Sequence, residues 1–261
     1  MPRGAVTPSI SALATAFSMN EWLRMDSLSL SLSLAMLAGV TIPLGAIAAS
    51  LEHIRPRWLE TEIRHSIIAF GGGALLAAVS LVLVPEGIKA LSLFWVVFCF
   101  SLGGIVFFLI DRTIATHGGS AAQLMAMLLD FVPEAIALGA ALAGDRSTGL
   151  LLALLIALQN FPEGFNAYRE LKAGGRHSSK KVLAAFCLLT LIGPLSAYLG
   201  HEFLAGSPSL VGAVMLFSAS GIIYLTFEDI APQAALKRHW APPLGAVAGF
   251  LLGLIGHILI T

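Results

Sequence analysis

The chain has 261 residues, 57% of them hydrophobic and only 11% charged, well below the roughly 25% charged residues of soluble domains. Its mean hydropathy of +0.88 excludes an ordinary water-soluble fold. Fifteen basic and fifteen acidic side chains give a formal net charge of zero, so no global field points to nucleic acid or to an acidic partner.

Residues 1–27 read as a short N-terminal tail. They carry Arg3, Glu21, Arg24 and Asp26 without the charged start, apolar block and small-residue cleavage site of a secretory signal. The Ser/Leu alternation over residues 27–34 looks locally like a strand. It runs straight into an uncharged stretch ending near Ser50, and a lone lipid-facing strand leaves its backbone groups unsatisfied, so a helix is predicted there. Hydropathy predicts eight spans, near residues 28–50, 66–91, 93–110, 121–142, 150–168, 182–200, 210–227 and 243–260. Each is about as long as a helix needs to be to cross a hydrocarbon core of about 30 Å. The connections are short, which predicts one transmembrane domain over residues 28–261. Cys99 and Cys187 sit in apolar runs without metal-type spacing and read as small buried hydrophobes. Eleven of the fifteen Lys and Arg residues fall in one set of loops, leaving only Arg3, Arg24, Lys89 and Arg146 in the other. The richer side is expected to be cytoplasmic, which puts both termini outside the cytoplasm.

Charged groups at mid-bilayer cost about 2.5 to 3.5 kcal/mol each even on insertion scales, so they usually face a cavity, a partner or an ion. The fourth span contains Asp130-Phe131-Val132-Pro133-Glu134 and the fifth contains Gln159-Asn160-Phe161-Pro162-Glu163. In each, an oxygen-bearing side chain precedes a glutamate by four residues and shares its helical face. Proline before each glutamate disrupts the helical bond to the carbonyl of Leu129 or Leu158, and broken helices at the midplane are a common way to build ion sites in transporters. The alternative is two kinked helices whose protonated carboxyls bond to neighbours, but packing alone does not require two matched repeats. Pro85-Glu86 and Glu228-Asp229 lie nearer the surfaces, and Asp111 next to Arg112 reads as salt-bridged or hydrated.

These motifs in adjacent helices of an eight-span chain resemble the ZIP family of divalent metal transporters, in a divergent bacterial-type form. Phe70-Gly71-Gly72-Gly73 with Pro85 looks like the family's second helix, and Phe227-Glu228-Asp229-Ile230 like its seventh. The resemblance implies an all-α bundle with inverted three-helix repeats around two central Pro-kinked helices. It implies Glu134, Gln159 and Glu163 as primary metal ligands, with Asp130 replacing a usual histidine and Asn160 and Glu228 as further ligands. Phe131 stands where an asparagine is common, Gly193-Pro194 where binuclear members have Glu-Pro, and Phe227 where histidine is common. The long His-rich loop between the third and fourth helices is replaced by about ten residues with His117.

The expected function is transport of Zn²⁺, or Mn²⁺ or Fe²⁺, toward the cytoplasm by alternating access between the fourth and fifth helices. The import direction is implied by the resemblance. The metal is then substrate, no cofactor is expected and the chain is not an enzyme. Its partners are divalent metal ions and the lipid bilayer of a bacterial inner membrane, with a homodimer left open. Three neighbouring carboxylates should let protons compete with metal. Asn166, three residues after Glu163, can reach the same face, although the resemblance gives it no role. His201 with Glu202 could gather metal on one side, and His177 or His239 receive it on the other; His53, His65 and His257 read as solvated or interfacial. Two rival functions are an intramembrane metal-dependent hydrolase, which lacks a His-Glu-x-x-His pattern, and a scaffold that no longer transports.

Overall fold

The computed structural model describes residues 25–52, 57–117, 122–173, 178–236 and 240–261. Most of the tail (residues 1–24), His53, His177, His239, Arg55, Arg176, Lys237 and Arg238 lie outside the described residues. Among the described residues, eight helices are long and apolar enough to cross a membrane: α1 (Ser27–Leu51), α2 (Glu60–Ala90), α3 (Leu93–Ile114), α4 (Met127–Gly144), α5 (Arg146–Lys172), α6 (Ser179–Leu204), α7 (Pro208–Ala234) and α8 (Ala241–Ile260). The chain is an all-α membrane protein, with no strand among the described residues. Each predicted span is present. The ends of α2 and α7 differ most, because Glu60, Glu62 and Arg64 at one and Glu228, Asp229 and Gln233 at the other lower hydropathy while the helical backbone continues through them.

The alternating Ser/Leu segment is helical. Asp26 caps it, its carboxylate accepting from the Ser29 amide at 3.1 Å, and the Ser31 hydroxyl donates to the Ser27 carbonyl at 2.7 Å. Hydrogen bonding from Ser29 holds the Asp26 carboxyl below the ordinary carboxylate range.

Helices α4 and α5 run unbroken through Pro133 and Pro162, so the expected breaks at the motifs are absent. Irregular backbone lies elsewhere, in a break of α6 at Thr190–Leu191 just before Gly193-Pro194 and in π turns at Val79–Leu83 of α2, Gly200–Leu204 of α6 and Thr226–Ile230 of α7. Asp145 alone separates α4 from α5. It caps α5, accepting from the Ser147 amide at 3.0 Å and the Thr148 hydroxyl at 2.5 Å.

Close packing sorts the helices into two groups. A Cβ added at Gly45 would lie 2.0 Å from the Phe161 carbonyl oxygen, at Gly164 2.1 Å from that of Ile42, and at Gly139 1.9 Å from that of Ala197. Backbone therefore touches backbone among α1, α4, α5 and α6. The same holds among α2, α3, α7 and α8, where Gly73 meets Ala246 at 2.0 Å and Gly103 meets Phe217 at 2.2 Å. Between the groups the tight glycine contacts are with side chains: Gly71 with Pro162, Gly253 with Leu155 and Gly256 with Leu154. A polar link also joins the groups at the end that carries the α1–α2 and α5–α6 connections, hereafter the basic end. There Arg169 of α5 pairs with Glu52 just after α1 and, at 2.5 Å, with Glu60 of α2.

Smaller expectations change as well. Cys99 is buried but Cys187 is exposed on α6, on a surface that lipid rather than protein would cover. Asp111 accepts a hydrogen bond from the Tyr224 hydroxyl at 2.9 Å rather than relying on Arg112.

Candidate metal site

The one-residue turn at Asp145 fixes α5 against α4. Counted from it, Glu134 and Gln159 lie eleven and fourteen residues away, and Asp130 and Glu163 lie fifteen and eighteen. The offset is the same for both pairs, so the hairpin sets two oxygen-bearing side chains side by side at each of two successive levels.

At the deeper level Glu134 and Gln159 are both 0% exposed, and the Gln159 amide donates to the Glu134 carboxylate. One turn toward the basic end, Asp130 is buried and one of its oxygens accepts from the Phe131 amide at 2.8 Å. Glu163 is half-buried, but both its carboxylate oxygens are enclosed. Asp130 and Glu163 line a cavity of about 50 Å³ together with Asn166, Asp229 and Gln233. That volume is several times the 10–15 Å³ or so that one water requires.

One pattern stands out among the buried polar atoms. Glu134 Oε1, Gln159 Oε1, Asn160 Oδ1, both Glu163 oxygens and Asn166 Oδ1 have no hydrogen-bond partner. These are all acceptors on α4 and α5; elsewhere Arg64 Nε, Thr226 Oγ1 and His257 Nδ1 are also without a partner. A buried acceptor without a donor costs about 1–3 kcal/mol or more, and a single cation would satisfy several of them together. Their oxygen-only character suits a hard divalent ion. The carboxylates do not yet enclose one point: among the described residues no three His, Cys, Asp or Glu side chains are gathered closely enough to hold a metal ion. Glu134 is turned onto Gln159 and Asp130 onto its own backbone.

Away from the basic end, the turns of α4 and α5 beyond Glu134 and Gln159 carry Leu138, Leu142, Leu151, Leu152 and Leu155, all at most 1% exposed. The oxygen-lined space thus lies in the half of the bundle nearer the basic end, with an apolar plug behind it.

The departures from the resembled pattern prove to be spatially linked. A Cβ at Gly193 would lie 2.7 Å from the Phe131 ring, and one at Gly39 would lie 3.2 Å from it. The fully buried Phe131 ring occupies space that a larger residue at position 193 would need, so an apolar contact stands where the resemblance would put ligands of a second metal. Asn160 points toward α1, its amide donating to the Ala38 carbonyl at 3.0 Å. Glu228 is exposed and does not line the cavity, whereas its neighbour Asp229 does. Gln233 escaped the sequence reading. It follows Asp229 by four residues, the same spacing that marked the two central motifs, and its amide donates to Asp229.

No family model matches the chain. Similarity to known proteins is nevertheless consistent in kind. The chain is 24% identical over 278 residues to the zinc transporter ZupT of Chlorobium phaeovibrioides, a match covering 91% of this chain and 100% of that protein. It is 30% identical over 147 residues to zinc transporter SLC39A7 of Homo sapiens and 29% identical over 149 residues to that of Canis lupus familiaris. Each of these two matches covers 53% of this chain and 31% of the relative, so the chain matches about a third of the SLC39A7 length.

Proposed function

We propose that the chain is a ZIP-type divalent metal ion transporter of a bacterial inner membrane, moving Zn²⁺, and also Mn²⁺ or Fe²⁺, toward the cytoplasm. The observation that carries this reading is the concentration of unpartnered buried oxygens on α4 and α5 inside an apolar bundle. Similarity to transporters named for zinc supports zinc as the first substrate. The positive-inside rule makes the basic end cytoplasmic, so the cavity communicates with the cytoplasmic half while the leucine plug closes the other.

An arriving ion exchanges part of its hydration shell for carboxylate and amide oxygens. Glu134 leaves the Gln159 amide and turns to the ion, Gln159 presents its Oε1, and Glu163 and Asp130 close the shell from the next turn. Two or three carboxylates neutralise a divalent charge that the bilayer interior would otherwise reject. Asn160, held by Ala38, lends its free oxygen from the side of α1. Glu228 is assigned no part in this central shell. Alternating access follows when the group α1, α4, α5 and α6, which holds the ion, moves against α2, α3, α7 and α8, carrying it from one side of the leucine plug to the other.

Uptake of Zn²⁺ and Mn²⁺ into proteoliposomes enclosing a metal-sensitive dye tests the reading. The protein should give saturable uptake. Glu134→Gln and Glu163→Gln, which keep side-chain shape but remove charge, should each reduce it by about 100-fold, equivalent to about 3 kcal/mol of lost ion stabilisation. Uptake no faster than in empty vesicles would leave the hydrolase or the scaffold, and normal uptake by both variants would move the path elsewhere.

A further inference from the structure

One turn from Glu163 toward the basic end, α5 and α7 are joined by a continuous chain of hydrogen bonds. The Asn166 amide donates to Glu170 at 3.1 Å and to Gln233 Oε1 at 2.7 Å, and the Gln233 amide donates to Asp229. The order fixes the orientation of both amides. Turned about, Asn166 would set its oxygen against the oxygens of Glu170 and Gln233, and Gln233 would set its own against Asp229. Both N–H groups of Asn166 and one of the two on Gln233 are therefore spent within the chain, and two oxygen groups remain toward the cavity: Asn166 Oδ1, 6% exposed as a residue and without a partner, and the Asp229 carboxylate.

Two hydrogen-bonded amides between carboxylates have a plain structural use as a brace between helices. That use explains the N–H groups but leaves an unsatisfied amide oxygen in a cavity that also holds a carboxylate, at a cost of about 1–3 kcal/mol. A braced pair with no ligand is better served by apolar side chains, which carry no such cost.

We propose that Asn166 Oδ1 and the Asp229 carboxylate, held in place by Gln233, form a second divalent-cation station on the cytoplasmic side of the central site. The inference rests on the reading of the chain as a divalent metal carrier. Asn166 follows Glu163 by three residues, about 4.5 Å along the helix axis, so an ion leaving Glu163 reaches the station in one short step without full rehydration. The station binds more weakly than the centre. It has one carboxylate in its inner shell, and the next carboxylate outward, Glu170, lies within electrostatic reach of the Arg64 guanidinium as well as of Asp229. A weaker site favours release over retention. Its ligands also come from both helix groups, Asn166 from α5 and Asp229 and Gln233 from α7, so movement of one group against the other takes the station apart. An ion there is then dropped toward the cytoplasm when the carrier turns over.

Mn²⁺ is the probe, because its electron paramagnetic resonance signal counts free ions directly. Full-length protein in lipid nanodiscs should bind two Mn²⁺ per chain, one tighter than the other. Asp229→Asn, isosteric and able to keep the bond from Gln233, should weaken the second ion by at least the 10-fold or so that loss of even an outer-shell partner costs, leaving the first unchanged. Asn166→Leu should do the same by a different route. Glu134→Gln should remove the tighter ion and leave the weaker one. One Mn²⁺ in the unmodified protein, two unaltered ions in Asp229→Asn, or loss of both ions in Glu134→Gln overturns the station. Failure of the carrier reading has a separate signature, absence of vesicle uptake whatever the ion count.

Discussion

On the proposed reading, Asp130 is the residue on which metal choice turns. It stands where the resembled family usually has histidine, and with Glu134, Gln159 and Glu163 it completes a set of candidate donors without imidazole or thiolate. Such a set suits Mn²⁺ and Fe²⁺ better than a histidine-bearing one does, although intrinsic affinity still runs Mn²⁺ < Fe²⁺ < Zn²⁺. Asp130→His should therefore raise the Zn²⁺-to-Mn²⁺ uptake ratio in a competition assay by supplying a softer nitrogen donor. An unchanged ratio would remove Asp130 from the coordination shell. These four residues were legible in the sequence because ionisable side chains in an apolar run are costly and the four-residue spacing puts each pair on one face. Asp229 and Gln233 were not, for a local reason. Glu228 and Asp229 are adjacent and so point about 100° apart on a helix, and the π turn at Thr226–Ile230 adds a residue to one turn, so a period of 3.6 does not tell which carboxylate faces inward. The contact between Phe131 and Gly193 was legible as two separate losses, but their joining across α4 and α6 needs three dimensions.

At the scale of elements, the α4–α5 hairpin keeps the two candidate ligand pairs level, and its single-residue turn depends on one cap. The Thr148 hydroxyl beside Asp145 holds that carboxyl below the usual carboxylate range, with Ser147 adding to the effect. A carboxyl depressed in the folded state stabilises the protein above the ordinary value of 3.8, and that contribution is lost as pH falls through the lower folded value. Asp145→Ala should then destabilise the protein by about 1 kcal/mol at neutral pH, read as a lower melting temperature in detergent. The difference from the unmodified protein should shrink in acid below the ordinary carboxylate range. A gap of constant size from pH 7 to pH 3 would mean that the cap contributes through shape rather than charge. The same hairpin shows where sequence reasoning on elements went too far. Proline removes the bond to the Leu129 and Leu158 carbonyls, but the helical backbone continues through both motifs, so the loss of one bond in each helix does not end it.

For the whole molecule, the decisive feature is the difference between contacts within and between the two helix groups. Backbone packed against backbone, with no side chain to yield, makes each group a stiff body. The boundary between them is made of side chains at Gly71–Pro162 and Gly253–Leu155, of the Asn166–Gln233 bond, and of Arg169 reaching Glu60. Side chains change partners by rotation, whereas glycine-packed backbones must first separate, so relative movement should occur along this boundary. A chemical tether across it tests the idea. With Cys99 and Cys187 first replaced, Glu60→Cys combined with Arg169→Cys can be joined by a short bifunctional thiol reagent, since the native side chains meet at 2.5 Å. Joining them should stop metal uptake and leave metal binding intact, and uptake should return when the link is reduced. The matching tether inside one group, between Asp111→Cys and Tyr224→Cys, whose native side chains meet at 2.9 Å, should leave uptake running. If both tethers stop uptake, the groups are not the moving bodies, because a link inside a stiff body costs it nothing. If neither does, the ion crosses without relative movement of the groups, and the leucine plug above Glu134 must open by side-chain rotation alone.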